Sequence, residues 1–284
     1  MSTKQQKREY PVTIDYDACI GCGICSSVCI FSTLTPDPET RKPVISDNHR
    51  VTCSKCGHCE VYCPESAVRV VHSENSIIKT EPGSQIITTD QIANLIHRRR
   101  SIRKYHLTSV PQEIIEEILD YVRYAPTALN LQTVRWHIIY DKACIRMIAQ
   151  QTVAWMREMA QHHRREMTGA DPYFPFLISR WDEGIDLISH DAPHLLIACS
   201  GNDSPNASID AVIATSYLDL IAPVFGLGTC WAGIINRAAK CSPGVLHAMD
   251  IPEGNTPQTV MMLGYPQYTQ HLIPQRDAVK ISWK

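Results

Sequence analysis

Apolar side chains recur at helical spacing through much of the chain. Ile92, Leu95 and Ile96 share one stripe behind Thr89 or Asp90, either of which can cap a helix. Arg98, Arg99 and Arg100 stand at its far end, where cations suit the helix dipole. Pro111 opens a second predicted helix with Ile114, Ile115, Ile118, Leu119 and Val122 on its buried stripe. Arg135–Tyr140 reads as a strand, and Asp191–Ala198 as a buried strand. Asn206–Ala222 reads as a long helix with Ile209, Ile213, Tyr217 and Leu220 inward and Pro223 near its end, where a kink is tolerated. The most membrane-like stretch, Ser216–Ile235, contains Asp219, Pro223 and three glycines, so it predicts a buried helix and a turn rather than a span.

The pattern lapses twice. Met1–Tyr10 is polar and lacks the apolar segment of a secretory signal. His72–Thr88 is polar and contains Glu81-Pro82-Gly83-Ser84, the composition of a domain boundary. The expected division is therefore 1–80 and 89–284, and 284 residues suit about two domains. With 44% hydrophobic and 20% charged residues the composition is ordinary for globular domains, and a net charge of −2 gives no overall basic field for nucleic acid or an anionic membrane. Neither partner is expected.

Twelve cysteines change the picture. Eight fall between Cys19 and Cys63; Cys144, Cys199, Cys230 and Cys241 are scattered and read as small buried hydrophobes, with Cys230 the one of chemical interest. Such clustering does not suit a disulfide scaffold in a chain of this length, and it implies a reducing compartment, the cytoplasm. The clustered eight form one pattern twice: Cys19-x2-Cys22-x2-Cys25-x3-Cys29, then Cys53-x2-Cys56-x2-Cys59-x3-Cys63 followed by Pro64. Zinc prefers four ligands from two separated pairs, which four cysteines within eleven residues, repeated, fit poorly. Gly21, Gly23 and Gly57 inside the runs let backbone N–H groups approach bound sulfur. Pro36, Pro38 and Arg41-Lys42-Pro43, in the 23 residues between the runs, predict an exposed hairpin.

This spacing resembles the bacterial two-cluster ferredoxins. In that family three thiolates wrap one corner of a [4Fe–4S] cubane and the fourth ligates the other cluster. The resemblance implies that Cys19, Cys22, Cys25 and Cys63 hold one cluster, and that Cys53, Cys56, Cys59 and Cys29 hold the other. Two departures stand out: Ile30 takes the place of the proline expected after the first run, and the connection between runs is long. About 70 residues make a small core, so the clusters are expected to support the fold as well as carry electrons.

The second region resembles the nitroreductase family over roughly residues 90–280. Four short segments carry the likeness: Arg99-Arg100-Ser101-Ile102-Arg103-Lys104-Tyr105, Ala125-Pro126-Thr127-Ala128-Leu129-Asn130-Leu131-Gln132, Gly226–Gly233, and Met261–Pro266. Guanidinium forks beside a hydroxyl suit a phosphate, and side-chain amides suit a flavin ring edge. The resemblance implies that Arg99, Arg100, Ser101 and Arg103 hold the FMN, and that Pro126, Thr127, Asn130 and Gln132 reach it across a homodimer interface. It implies that backbone N–H groups at Ala232 and Gly233 face N5, and that Arg276 completes the phosphate site. Thr127 stands where the family has serine. Gly226-x-Gly228 is no dinucleotide fingerprint, because a helix precedes it and position 231 is Trp. Gln151–His190, with Trp155, Tyr173, Phe174, Phe176 and Trp181, is the least family-like stretch; in relatives it covers the flavin and shapes substrate choice, and packing explains these aromatics equally well.

The expected architecture is α+β: a ferredoxin-like module followed by a three-layer FMN domain with a central mixed sheet. The expected function is an iron–sulfur flavoprotein oxidoreductase, taking electrons from NAD(P)H or a ferredoxin through two [4Fe–4S] clusters to FMN. An electron-poor organic molecule (a nitroaromatic, quinone or activated alkene) would accept them, with no protein catalytic residue required. The alternative from another class is a redox sensor or electron-transfer adaptor without a small-molecule substrate. A third reading is dehalogenation or flavin fragmentation, which some relatives of this fold perform.

Overall fold

The computed structural model describes residues 11–46, 52–71, 87–162, 171–201 and 205–284. Met1–Tyr10 and most of the expected boundary segment at His72–Thr88 lie outside them. The chain divides into two compact units: Met1–Ser84 together with Leu129–Leu131, and Gln85–Ala128 together with Gln132–Lys284.

The first unit is one motif written twice at an offset of 34 residues. Strand β1 (Val12–Ile14), helix α1 (Ile24–Ser27) and strand β2 (Leu34–Pro36) are followed by β3 (Pro43–Ile45), α2 (His58–Val61) and β4 (Val68–Val70). The halves clasp through their strands: β1 pairs antiparallel with β4, Val12 opposite Val70, and β2 with β3, Leu34 opposite Ile45. The β2–β3 pair is the hairpin expected from the prolines and charges around Arg41. Each short helix starts after a glycine in the left-handed region, Gly23 at φ 76° and Gly57 at φ 80°, where a side chain would be strained. Each helix holds one cysteine, Cys25 or Cys59. Among the described residues its core cluster is Val12, Cys25, Leu34, Val68 and Val70, all buried.

The second unit has three layers. Its helices α3 (Thr89–Arg98) and α4 (Gln112–Val122) precede strand β5 (Arg135–Ile139), long helix α5 (Lys142–His162) and α6 (Phe174–Asp182). Then come β6 (His194–Gly201), α7 (Ala207–Ile221), β7 (Gly228–Trp231), α8 (Gly233–Cys241), α9 (Pro243–Met249) and β8 (Asn255–Gly264). The sheet order is β5-β6-β8-β7, and every strand pair is antiparallel. The mixed character expected of the sheet reduces to one parallel bridge, Ser101 with Thr229. Period-two alternation sends Leu195, Ile197, Val260 and Met262 into one core with α5, α8 and α9. The same alternation sends Leu196, Met261 and Leu263 into a second core with α4 and α7. Both faces of β6 and β8 are therefore apolar, which is why they read as continuous hydrophobic runs. A bulge at Ala198/Cys199 sets Cys199 opposite Pro257, where a residue without an N–H is tolerated.

Several sequence expectations need correction. Thr88, not Thr89 or Asp90, caps α3, in a reciprocal capping box with Gln91. The α3 stripe is not buried: Ile92 and Ile96 are exposed. On α7 the buried face is Ala211, Ala214, Thr215 and Leu218 with Asp210 and Asp219, while Ile209 and Tyr217 are exposed. Small residues let this helix lie close on the sheet, and the apolar count misplaced the face because almost the whole helix is apolar. Ala207–Phe225 is long and apolar enough to cross a membrane by length and composition, yet its inner face packs on the sheet. Where a simple turn was expected, β7 forms the sheet edge. Strand β6 begins at His194, not Asp191, because His190 and Asp191 take left-handed backbone angles, φ 54° and 52°. Cys199 and Cys230 are buried as expected, but Cys241 is exposed.

Candidate cofactor sites

In the first unit two cavities lie among the cysteine loops. One is lined by Cys53, Cys56 and Cys59 of the second run and Cys29 of the first, over Val12, Phe31, Leu34 and Val70. The other is lined by Cys19, Cys22 and Cys25 of the first run and Cys63 of the second, with Val68 and Pro43. The fourth thiol of each run thus crosses into the other's cavity, the arrangement implied by the ferredoxin resemblance. Backbone amides support both crossing sulfurs alike. The Thr33 N–H donates to Cys29 Sγ at 3.3 Å and the Ala67 N–H to Cys63 Sγ at 3.2 Å.

The thiols feel one another. Burial, then the neighbouring Cys29, Cys53 and Cys56, push the Cys59 thiol up to about 12. Burial is likewise the leading cause raising Cys25, and Cys22 and Cys19 add to it. Thiols so crowded become thiolates only around a group carrying positive charge. Among the described residues no three His, Cys, Asp or Glu side chains converge tightly enough to hold one metal ion. Four sulfurs spread around a cavity fit a polynuclear cluster better than a lone zinc.

In the second unit the basic segment and the glycine-bearing strand, far apart in sequence, form one structure. Ser101 bridges Thr229 in parallel, and the Ile102 N–H donates to the Thr229 carbonyl at 2.8 Å. Gly228 permits this approach, for a Cβ there would meet Ile102 at 2.5 and 2.8 Å and Pro266 at 2.9 Å. The segment is extended, so its side chains alternate. Arg100 faces a wide groove lined by Gln91, Leu95 and Arg98 of α3 and by Pro266, Tyr268 and Gln270. Arg99 turns instead to Asp219.

Asp219, near the end of α7, is buried and gathers three donors. Arg99 Nη1 reaches it at 3.2 Å, Trp231 Nε1 at 3.3 Å, and the Thr229 hydroxyl bonds its other oxygen. Cys230 lies beside them. Burial raises its thiol pKa, while Arg103, a Ser101 hydrogen bond and Arg99 oppose the rise. Arg103 also acts on His190, whose pKa is lowered first by burial and then by Arg103. Arg99, Ser101, Arg103, Cys230 and His190 therefore share one neighbourhood. Sequence reading missed Asp219 as a site residue, although a carboxylate inside the apolar run Ser216–Ile235 was the available signal.

Helix α8 starts at this edge. The Ala232 amide donates to the Val260 carbonyl at 2.9 Å, so it is committed to the sheet and only Gly233 of the expected pair is left to turn outward. A Cβ on Gly233 would meet nothing within 4 Å. One turn later the Asn236 Oδ1 is buried without a partner, another residue sequence reading passed over. Guanidinium donors, an open helix start and an orphaned amide oxygen together fit a flavin nucleotide.

The Thr127 loop is built separately. Its hydroxyl accepts from the Gln132 N–H at 3.0 Å, closing the loop, and the Ala128 N–H donates to buried Asp210 Oδ1 at 3.0 Å. Leu129 and Gln132 hold left-handed φ values of 52° and 50°, the kind of strain that collects at functional sites. Pro126 is exposed. Asn130, also left-handed at φ 54°, falls in the stretch grouped with the first unit. Asp210 and Asp219 sit at opposite ends of α7, so the two sets of predicted flavin residues are anchored roughly 14 Å apart along one helix. Arg276 is exposed in the C-terminal stretch, which has no regular secondary structure. In the aromatic stretch Trp155 and Phe174 are buried edge to face at 5.5 Å, whereas Tyr173 and Phe176 are exposed.

Comparison with known proteins gives a family match within each unit. The nitroreductase family pattern matches residues 96–265, and the 4Fe-4S binding domain pattern matches residues 12–34. A protein of Methanothermobacter thermautotrophicus, provisionally named NADH dehydrogenase/NAD(P)H nitroreductase, is 30% identical over 181 residues, covering 62% of this chain and 77% of the relative. Among solved structures, a Bacteroides fragilis nitroreductase with bound FMN aligns with a TM-score of 0.54 at 19% identity, over 68% of this chain and 96% of that one. A Desulfitobacterium hafniense nitroreductase with bound FMN aligns with a TM-score of 0.53 at 17% identity, over 67% and 97%. The chain belongs to the nitroreductase family and is an oxidoreductase of that fold, with a 4Fe-4S binding domain ahead of it.

Proposed function

We propose that the chain passes electrons through two [4Fe–4S] clusters to one FMN and on to an electron-poor organic acceptor. The acceptor class is a nitroaromatic, a quinone or an activated alkene. The observation that carries this reading is the pair of four-cysteine cavities, each completed by a thiol from the other run. FMN is supported by family membership and by the bound FMN of the two solved relatives. The donor is NAD(P)H, supported by the name of the archaeal relative, or a reduced ferredoxin, supported by the cluster module.

The cofactors supply single-electron carriage in the clusters and hydride transfer at the flavin. The protein's part is binding and electrostatics. The eight clustered cysteines ligate iron in the two quartets described. Ser101 and Arg103 hold the phosphate with Arg99, whose charge Asp219 partly offsets. Arg103, less encumbered, balances the negative charge of the reduced cofactor. Gly233 offers an amide to the ring, with Ala232 as its buried anchor. Arg100 and Arg276 add positive charge toward the phosphate. The Thr127 loop, with Pro126, Asn130 and Gln132, serves a flavin held mainly by a second copy of the chain. That homodimer is supported by the two anchor points on α7 and by the exposed apolar residues Ile92, Ile96, Ile209 and Tyr217. A thiolate-rich module of this kind suits the cytoplasm.

Anaerobic cofactor analysis tests the proposal. The expected result is about eight iron atoms with matching acid-labile sulfide per chain, from two four-iron clusters, and one FMN. Protein lacking both pigments would overturn it. Cys56→Ala then separates the donors: if NADH reduces the flavin of that variant at the full rate, the clusters do not serve as the way in for NADH electrons.

A further inference from the structure

The two cysteine cavities share a backbone but not a chemistry. At the 34-residue offset Gly21 corresponds to Lys55, Ile24 to His58, and Phe31 to Glu65. The backbone repeats faithfully. Gly21 and Lys55 are both left-handed, at φ 69° and 51°, and Ser32 and Ser66 are both at φ 52°. The amide hydrogen bonds to Cys29 and Cys63 are equivalent, and Cys22 and Cys56 are both exposed. These features cancel when the two cavities are compared.

Three of the differences put a charge or a nitrogen donor at a cavity wall, whereas the charge of Glu60, at the position of Ser26, is met by Arg69 at 3.2 Å. His58 Nδ1 lies 3.1 Å from Cys56 Sγ, and its ring stacks on Tyr62 with centroids 6.2 Å apart and planes 10° off parallel, which steadies its orientation. A cysteine bound to iron has no proton to give, so Nδ1 is the donor in that contact. The counterpart Ile24 offers no donor at all. Lys55 lines the same cavity as His58, whereas Glu65 lines the other. All three push in one direction. Reduction adds negative charge, which a hydrogen bond to ligand sulfur or a nearby cation favours and a nearby carboxylate opposes.

We infer that the cluster held by Cys29, Cys53, Cys56 and Cys59 has the higher reduction potential of the two, and that His58 sets most of the difference. The inference rests on the two-cluster reading above. His58, Lys55 and Glu65 are all exposed, and His58 outweighs the charges because its hydrogen bond acts at contact with a ligand sulfur, while the charges act across water and salt. Electrons given to the module therefore settle on the His58 side.

The test uses the full chain purified without oxygen. Iron and sulfide analysis comes first, and fewer than two clusters per chain would sink the two-cluster reading itself. With both present, a redox titration followed by electron paramagnetic resonance at fixed pH is expected to resolve two one-electron waves. His58→Ile, which copies Ile24, moves the upper wave to lower potential and leaves the other in place. Lys55→Gly, which copies Gly21, moves the upper wave down by less, and Glu65→Gln moves the lower wave up by a shift that shrinks with added salt. Two clusters titrating as one wave would overturn the inference. So would a His58→Ile variant with both waves unmoved or only the lower one shifted, or a Lys55→Gly shift exceeding that of His58→Ile.

Discussion

Asp219 accepts from Arg99, Trp231 and Thr229 in a buried setting, so removing it orphans three donors at once. Asp219→Ala is expected to lower unfolding stability by about 3 kcal/mol, in the range for breaking a buried ion pair. Denaturant titration measures that loss. In flavin-free protein the same variant should shift Trp231 emission to the red. His194 gives a second prediction at this scale. It is fully buried, and its Nε2 accepts from the Val110 N–H at 2.9 Å, which leaves the proton on Nδ1. Burial, ahead of Lys142, depresses its pKa to about 4, and hydrogen bonding at the Tyr140 backbone opposes this. An unfolded histidine titrates near 6.5, so the unfolded chain gains a proton there that the folded one refuses. The stability His194 contributes is therefore present above pH 6.5 and lost as pH falls toward 4, by up to about 1.4 kcal/mol per unit. Urea titrations at pH 7 and pH 5 check this: His194→Gln should lose less stability between them than the parent. Had the parent shown no greater loss, His194 would not be buried neutral. Neither residue was legible as a hub in the sequence, because a buried carboxylate or imidazole looks like any polar residue until its partners arrive from distant segments.

Elements were legible to the extent that their local pattern was strong. Helix α4 follows Pro111 with Ile115, Ile118 and Val122 buried, as its stripe predicts. The face of α7 was misread because a nearly all-apolar helix has no polar side to orient it, and burial there follows side-chain size. Strand β7 was unreadable, since four residues carry little periodicity and its place comes from pairing with β8 and with the Ser101–Ile102 segment. That pairing makes Gly228 a demanding position. Gly228→Ala puts a methyl into Ile102 and is expected to cost about 2 kcal/mol of stability and to weaken FMN retention. Gly233→Ala, with open space around the added carbon, should leave the melting temperature nearly unchanged. Thermal unfolding of the two variants side by side distinguishes them; equal losses would mean that Ile102 does not press on β7.

At the scale of the whole molecule the two units differ in what sustains them. The nitroreductase unit has two apolar cores, one on each face of its sheet. Among the described residues the core cluster of the cysteine unit has five buried members, too few to offset chain entropy without the clusters proposed for it. All five tryptophans, Trp136 to Trp283, lie in the nitroreductase unit. Anaerobic iron chelation should therefore open the cysteine unit to protease at sites between Pro11 and Val71 while unfolding monitored by tryptophan emission keeps its midpoint. Loss of both together would contradict this independence. The exchange of one thiol between the two runs carries a consequence for assembly. On the proposed two-cluster reading, iron seated in either cavity would immobilise a sulfur that belongs to the opposite half of the repeat, so the first insertion would prepare the second. Chains given too little iron should accordingly sort into blank and doubly filled populations, with few holding a single cubane, and native mass spectrometry of half-reconstituted protein would display that bimodal outcome.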